Sequence, residues 1–168
     1  MQNKKLIDLS QKIKDCIPPH ITISTAESCT GGIVSSYLTN IAGSSEYFLG
    51  GIVIYSNEVK VRVLSVNQNT LDKFGAVSEE TAREMAAGGK KTTGSTIAVS
   101  ITGIAGPGGG SKERPVGMVC FALASNLGTT SVTHHLHGIR EEIRESACLV
   151  ALELILEEVR NINENSSL

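Results

Sequence analysis

A serine, a lysine and a tyrosine near glycine-rich segments suggest metal-free hydrolysis by a Ser–Lys arrangement. Ser28 lies in TAESCTGG, residues 25–32, where an apolar run ends and a helical pattern begins. Backbone N–H groups at a helix start lack partners and favour negative charge. Ser28, Cys29 and Thr30 would therefore present hydroxyl or thiol groups beside Glu27 at such an end, while Gly31 and Gly32 let a ligand or another strand approach the backbone. This arrangement suits a bound anion or the oxyanion of an acyl-transfer intermediate. The competing reading is that Ser28 or Thr30 simply caps the helix. The segment is not a GxSxG elbow.

In GGIVIYSNEVK, residues 50–60, a buried-looking strand delivers Tyr55, Ser56 and Asn57 to its end, and Lys60 follows one helical turn later. Strand ends are where α/β folds place their sites. Lys60 can act as the base for a serine if burial lowers its pKa; otherwise it is a solvated surface lysine. The segment SITGIAGPGGGSKERPVG, residues 100–117, holds six glycines and two prolines. It matches neither a Walker A loop nor GxGxxG, and it leads into a strand. The amides around Thr102, Gly103, Ala105, Gly106 and Gly109 could surround a phosphate or ribose, with Lys112 and Arg114 nearby; a plain structural loop fits equally well. Arg140, in HGIR ahead of the last helix, can pair bidentately with a phosphate or form a surface ion pair with Glu141, Glu142 or Glu145. His134, His135 and His137 invite a metal, but no carboxylate or cysteine lies close in sequence, so none is expected.

The elements that must position these groups alternate. Strands are predicted over Ile21–Ala26, Gly51–Tyr55, Thr96–Thr102, Val116–Ala124 and Ser131–His137. Helices are predicted at Gly32–Thr39, Glu58–Leu64, Ser78–Lys91 and Arg140–Val159. Ser78 can cap its helix, with Glu79 and Glu80 at the positive end of the dipole. Leu6, Leu9, Ile13, Cys16 and Ile17 mark a surface helix ended by Pro18-Pro19. The short Asn126-Leu127-Gly128 connection reads as a hairpin. The expected fold is α/β, a single-domain α/β/α sandwich over residues 1–168 with a mixed central sheet, frayed at 1–4 and 161–168.

Composition narrows the class. The chain has 168 residues, 40% hydrophobic and 19% charged, enough for a real core without staples. A net charge of -2 and the absence of Trp disfavour a nucleic-acid binder. No run approaches the length of a membrane span, and the lysines near the start precede no continuous apolar region, so a cytoplasmic location is expected. Four scattered cysteines form no CxxC pair, which argues against disulfides and structural zinc.

The ordered series AESCTGG, GSS (43–45), GGIVIYSNEVK, GAVSEE (75–80), TGIAGPGGG and KERPVG resembles the CinA C-terminal domain family, over about residues 5–160. Free-standing members of that family are nicotinamide-nucleotide amidases; the larger ones carry a further N-terminal domain related to molybdopterin-binding proteins, for which 168 residues leave no room. The resemblance implies hydrolysis of nicotinamide mononucleotide to nicotinate mononucleotide and ammonia, in pyridine-nucleotide salvage. It implies Ser28 as nucleophile, Lys60 as base and Tyr55 as helper, with the backbone near Thr30 to Gly32 receiving the oxyanion. The 102–109 loop and Arg140 would hold ribose and phosphate, and Glu27, Thr30, Gly31, Gly32, Ser56 and Asn57 are expected among the other substrate-binding residues. No cofactor is expected; the expected partners are a small nucleotide substrate and further copies of the chain, with no nucleic acid and no membrane. The rival nucleophile is Cys29, since a thiol is intrinsically the stronger one. The rival functions are a non-catalytic nucleotide-binding or competence-associated domain and, more remotely, a phosphotransferase.

Overall fold

The computed structural model describes residues 2–165. The elements run in the order α1 (Gln2–Cys16), β1 (Ile23–Glu27), α2 (Ile33–Thr39), β2 (Phe48–Val53), α3 (Asn57–Leu64), α4 (Gln68–Phe74), α5 (Glu79–Thr93), β3 (Ile97–Gly103), β4 (Met118–Ser125), β5 (Gly128–His135) and α6 (Arg140–Asn165). Five strands form one sheet in the order β2-β1-β3-β4-β5. β1 pairs in parallel with both β2 and β3, whereas β4 is antiparallel to β3 and to β5. The mixed sheet and the hairpin at Asn126-Leu127 are therefore as the sequence indicates.

Alternation along the strands assigns the two faces. Ile97, Val99 and Ile101 of β3 and Val119, Phe121 and Leu123 of β4 join Leu6, Ile13, Ala147, Ala151 and Ile155 in one core beneath α1, α2 and α6. The opposite residues of β4 are small: Cys120, Ala122 and Ala124 pack against Ala82 and Ala86 of α5. Small residues on both sides bring α5 close to the sheet. A Cβ on Gly88 would lie 2.0 Å from the carbonyl oxygen of Leu64, so α5 and α3 touch backbone to backbone there. α5 starts as expected, with the Ser78 hydroxyl accepting from the Thr81 amide. A cap of this kind is worth about 1 kcal/mol.

The chain leaves β1 through α2 to reach β2 on one side, then crosses by α3, α4 and α5 to β3 on the other. β1 is thus the point where the winding reverses. The C-terminal ends of β1, β2 and β3 share one edge of the sheet, and a crevice outside that edge is the expected place for a ligand.

Several boundaries differ from the sequence reading. β2 ends at Val53 rather than Tyr55, because the carbonyls of Ile54 and Tyr55 turn to accept hydrogen bonds from Lys60. β4 starts at Met118 rather than Val116, because Gly117 adopts φ +92° and packs against the Leu136 carbonyl, a Cβ there falling 1.9 Å from that oxygen. β5 covers Gly128–His135, which leaves His137 outside it. Helix α4 was not anticipated: of its seven residues only Leu71 is buried, too little to mark a face. The terminal segments expected to fray are helical over 2–4 and 161–165; residues 1 and 166–168 lie outside the described residues.

Candidate active site

At the edge where β1, β2 and β3 end, a cavity of about 180 Å³ is lined by Ser28, Cys29, Tyr55, Asn57, Lys60, Ala76, Val77, Thr102, Gly103, Ala105 and Arg140. Ser28 directly follows β1, and its amide donates to the carbonyl of Ile101 on β3 at 2.9 Å. Lys60 sits on α3, one turn after the Ser56 cap, and is 1% exposed. Its Nζ donates to Ser28 Oγ at 3.2 Å, to the Ile54 carbonyl at 3.3 Å and to the Tyr55 carbonyl at 3.2 Å. Among the described residues no carboxylate is a partner of Nζ, and none lines the cavity. Burial penalises the ammonium form and holds the Lys60 pKa below the usual lysine value, with the neighbouring Cys29 acting weakly the other way. The surface-lysine reading is thereby excluded.

The start of α2 is capped from an unforeseen place. Glu27 is fully buried, and its carboxylate accepts from the amides of Gly32 (2.9 Å), Val34 (3.1 Å) and Ser35 (2.8 Å) and from the hydroxyls of Ser35 (2.6 Å) and Thr25 (3.1 Å). The N-cap residue itself, Gly32, adopts φ +99° and contributes no side chain. Neither Ser28 nor Thr30 caps the helix, which leaves the Ser28 hydroxyl to Lys60. Glu27, expected among the substrate-binding groups, has its carboxylate committed to the helix.

The backbone donors differ from expectation for the same reason. The Gly32 amide is held by Glu27, and the Gly31 amide donates to the Ser28 carbonyl at 3.1 Å. Among the described residues, the N–H groups of Cys29 and Thr30 are the ones in this turn accepted by neither a backbone carbonyl nor Glu27, and that of Cys29 lies against its own thiol. Thr30 is wholly buried, and its hydroxyl has no hydrogen-bond partner among the described residues. The Cys29 thiol is buried and pushed up to about 12, mainly by desolvation, so it is not a ready thiolate.

Arg140 is the first residue of α6. It donates to the Gly106 carbonyl at 2.6 Å and to the Tyr55 hydroxyl at 3.1 Å, and it forms no ion pair among the described residues. Tyr55, 65% exposed, therefore forms a wall of the cavity; its hydroxyl is bound to Arg140 and not to Ser28 or Lys60. A second, more open cavity of about 790 Å³ adjoins the first through Ala105 and Arg140 and is also lined by Pro107, Val116, Gly138, Ile139, Glu141 and Arg144. Together the two spaces exceed what a single small ring would fill.

The profile of the CinA C-terminal domain matches residues 8–159. The chain belongs to the CinA C-terminal domain family. A CinA-like protein of Fervidobacterium nodosum is 44% identical over 155 residues, covering 92% of this chain and 38% of that protein. A CinA-like protein of Chloroherpeton thalassium is 59% identical over 113 residues, covering 66% of this chain and 27% of that protein. The chain thus spans about a third of the length of these curated relatives. Solved structures are similar over most of their length. The competence/damage inducible protein of Agrobacterium tumefaciens has a TM-score of 0.85 at 42% identity, with 91% of this chain and 94% of that chain covered. A CinA superfamily protein of Klebsiella pneumoniae has a TM-score of 0.89 at 31% identity, with 93% and 98% covered.

Within this CinA domain, the residues brought to the small cavity from the sequence reading are Ser28, Lys60, Tyr55, Asn57, Thr102, Gly103, Ala105 and Arg140. Thr102 also anchors the wall, its hydroxyl donating to the Ala76 carbonyl at 2.8 Å. Ser56 serves as the cap of α3, accepting from the Val59 amide. Gly106 contributes through its carbonyl to Arg140, and Gly109 lines neither cavity. Ala76, Val77 and Arg144 were missed. Arg144 carried a signal, since it falls one helical turn after Arg140 and on the same face. Of the three histidines, His134 packs edge-on against Phe121 at 5.6 Å. Among the described residues no group of three or more His, Cys, Asp or Glu side chains is arranged to hold a metal ion.

Proposed function

We propose that this domain hydrolyses the carboxamide of nicotinamide mononucleotide to nicotinate mononucleotide and ammonia, with Ser28 as nucleophile and Lys60 as base. The observation that carries the chemistry is the buried Lys60 amine, 3.2 Å from Ser28 Oγ and without a carboxylate partner. Burial disfavours the ammonium form, and the neutral amine, with its two N–H groups on the Ile54 and Tyr55 carbonyls and its lone pair toward Ser28, can take the serine proton. The substrate rests on the motif resemblance of the whole chain to the amidases of the family.

In this reading Lys60 accepts the Ser28 proton as Oγ attacks the carboxamide carbon. The tetrahedral oxyanion faces the Cys29 amide, which no backbone carbonyl accepts and which belongs to the residue next after the nucleophile. Protonated Lys60 then donates to the departing nitrogen and ammonia leaves. Water, deprotonated by Lys60, attacks the acyl-enzyme, and the proton passes from Lys60 to Ser28 Oγ as nicotinate mononucleotide leaves. Tyr55, Asn57 and Thr102 surround the ring and carboxamide; Arg140 and the loop from Gly103 to Pro107 receive ribose and phosphate at the junction of the two cavities. The test is ammonia release from nicotinamide mononucleotide by the purified protein. Ser28→Ala is expected to abolish it, and turnover retained in that variant refutes the nucleophile. Tight binding of the mononucleotide by wild type with no ammonia produced would favour a binding domain instead.

A further inference from the structure

Arg144 lies one turn beyond Arg140 on α6, but it reaches a different partner. Its Nε donates to the Cys29 carbonyl at 3.0 Å and its Nη2 to the Thr30 carbonyl at 3.0 Å. It forms no ion pair among the described residues, so its charge is directed at these two oxygens. The same turn is gripped from the other side by Glu27, which takes the amides of Gly32, Val34 and Ser35. A buried carboxylate thus holds N–H groups and a guanidinium holds C=O groups of one short segment.

The consequence follows from peptide geometry. In a trans peptide the C=O and N–H bonds point in opposite directions. Drawing the Cys29 carbonyl toward Arg144 therefore turns the Thr30 amide away from α6. Drawing the Thr30 carbonyl the same way turns the Gly31 amide toward the Ser28 carbonyl, where it forms the 3.1 Å bond that closes the turn. That closure in turn fixes the Ser28–Cys29 peptide, whose N–H is the one next to the nucleophile. The positive charge on the carbonyl side also strengthens the positive ends of these peptide dipoles. We infer that Arg144 is a positioning residue: through the Cys29 and Thr30 carbonyls it sets the orientation of Ser28 and of the Cys29 amide that receives the oxyanion. The inference rests on the amidase reading for its kinetic consequence, but its structural core does not.

The test compares Arg144→Met and Arg144→Lys with wild type. For ammonia release, Arg144→Met should lower kcat about 10²-fold with KM little changed, because a small misplacement of reacting groups costs a factor of that order. Arg144→Lys should lie between the two, and guanidinium ion added to Arg144→Met should recover part of the lost kcat. A raised KM with unchanged kcat overturns the inference and makes Arg144 a ligand for the substrate's phosphate. Hydrogen exchange supplies a reading that needs no turnover. The amides from Cys29 to Gly32 should exchange faster in both variants, by about tenfold for each 1.4 kcal/mol of lost local stability, while those of β3 and β4 stay as in wild type. Unchanged exchange in this turn overturns the inference, including where wild type proves inactive on nicotinamide mononucleotide. If Arg144→Met does not fold, the lysine variant carries both measurements.

Discussion

Glu27→Gln separates a structural carboxylate from a substrate-binding one. The glutamine is isosteric, but one of its two terminal atoms becomes a donor. If the nitrogen occupies the Oε2 position, it faces the Gly32 and Val34 amides, and two buried N–H groups lose their acceptor. If it occupies the Oε1 position, it faces the Ser35 amide and the hydroxyls of Ser35 and Thr25. Hydroxyls can rotate to accept, so the second orientation strands only one donor and is the cheaper. A buried unsatisfied donor costs about 1–3 kcal/mol, and the two remaining amide bonds drop from charge-assisted to neutral, about 1 kcal/mol each. The lost attraction of the charge for the helix end and the relieved cost of burying it oppose one another. The expected loss is about 3–5 kcal/mol, or roughly 6–20 °C in Tm for a domain of this size.

Denaturant and thermal unfolding of wild type and Glu27→Gln measure this directly, with ammonia release measured in parallel. The variant should be destabilised by that amount and show reduced kcat, since the start of α2 holds the far end of the Ser28 turn. Stability within about 0.5 kcal/mol of wild type would refute the capping account. A raised KM at unchanged stability would return Glu27 to the substrate.

Lys60→Met should reduce kcat by about 10²–10⁴-fold, the usual contribution of a general base. In wild type, kcat/KM should fall as pH drops through the lowered Lys60 pKa, because the neutral amine is the active form. The stability effect has a definite sign. Between that lowered pKa and the ordinary value of 10.5 the unfolded chain binds the proton that the folded chain refuses, so stability rises with pH across this window. Below the window the penalty is constant, and Lys60→Met should lack the slope. Cys29→Ser should retain most activity, because a thiol pushed up to about 12 stays protonated at neutral pH; loss of turnover comparable to that in Ser28→Ala would transfer the nucleophile to the thiol.

The architecture was legible because its signals are local. Alternating apolar runs, the Ser78 cap and the two-residue hairpin each lie within one element. The Ser28–Lys60 pair was not local: the two residues are 32 positions apart and meet because β1 and β2 are parallel neighbours that end at one edge. By composition alone Lys60 is a surface lysine; only the motif series distinguished it. Helix α4, with one buried residue, offered no periodic face to read.

The cap of α2 was illegible for a more specific reason. Sequence rules look for Ser, Thr, Asp or Asn immediately before the first helical turn. Here two glycines with φ +61° and +99° insert a left-handed turn between Thr30 and the helix, and the chain folds back so that Glu27, five residues before the first amide it binds, becomes the cap. The expected arrangement, a helix N-terminus open to the oxyanion, is therefore closed by an internal carboxylate. A negative charge already at that end would repel a second one. In the proposed mechanism, electrostatic stabilisation of an oxyanion at Ser28 would then come from elsewhere, and the groups in place are the Cys29 amide, the proton that Lys60 would acquire, and the Arg144 guanidinium behind the Cys29 and Thr30 carbonyls. The same closure frees the Ser28 hydroxyl from capping. The proposed nucleophile and the cap, compatible at one helix end in principle, are here divided between adjacent residues.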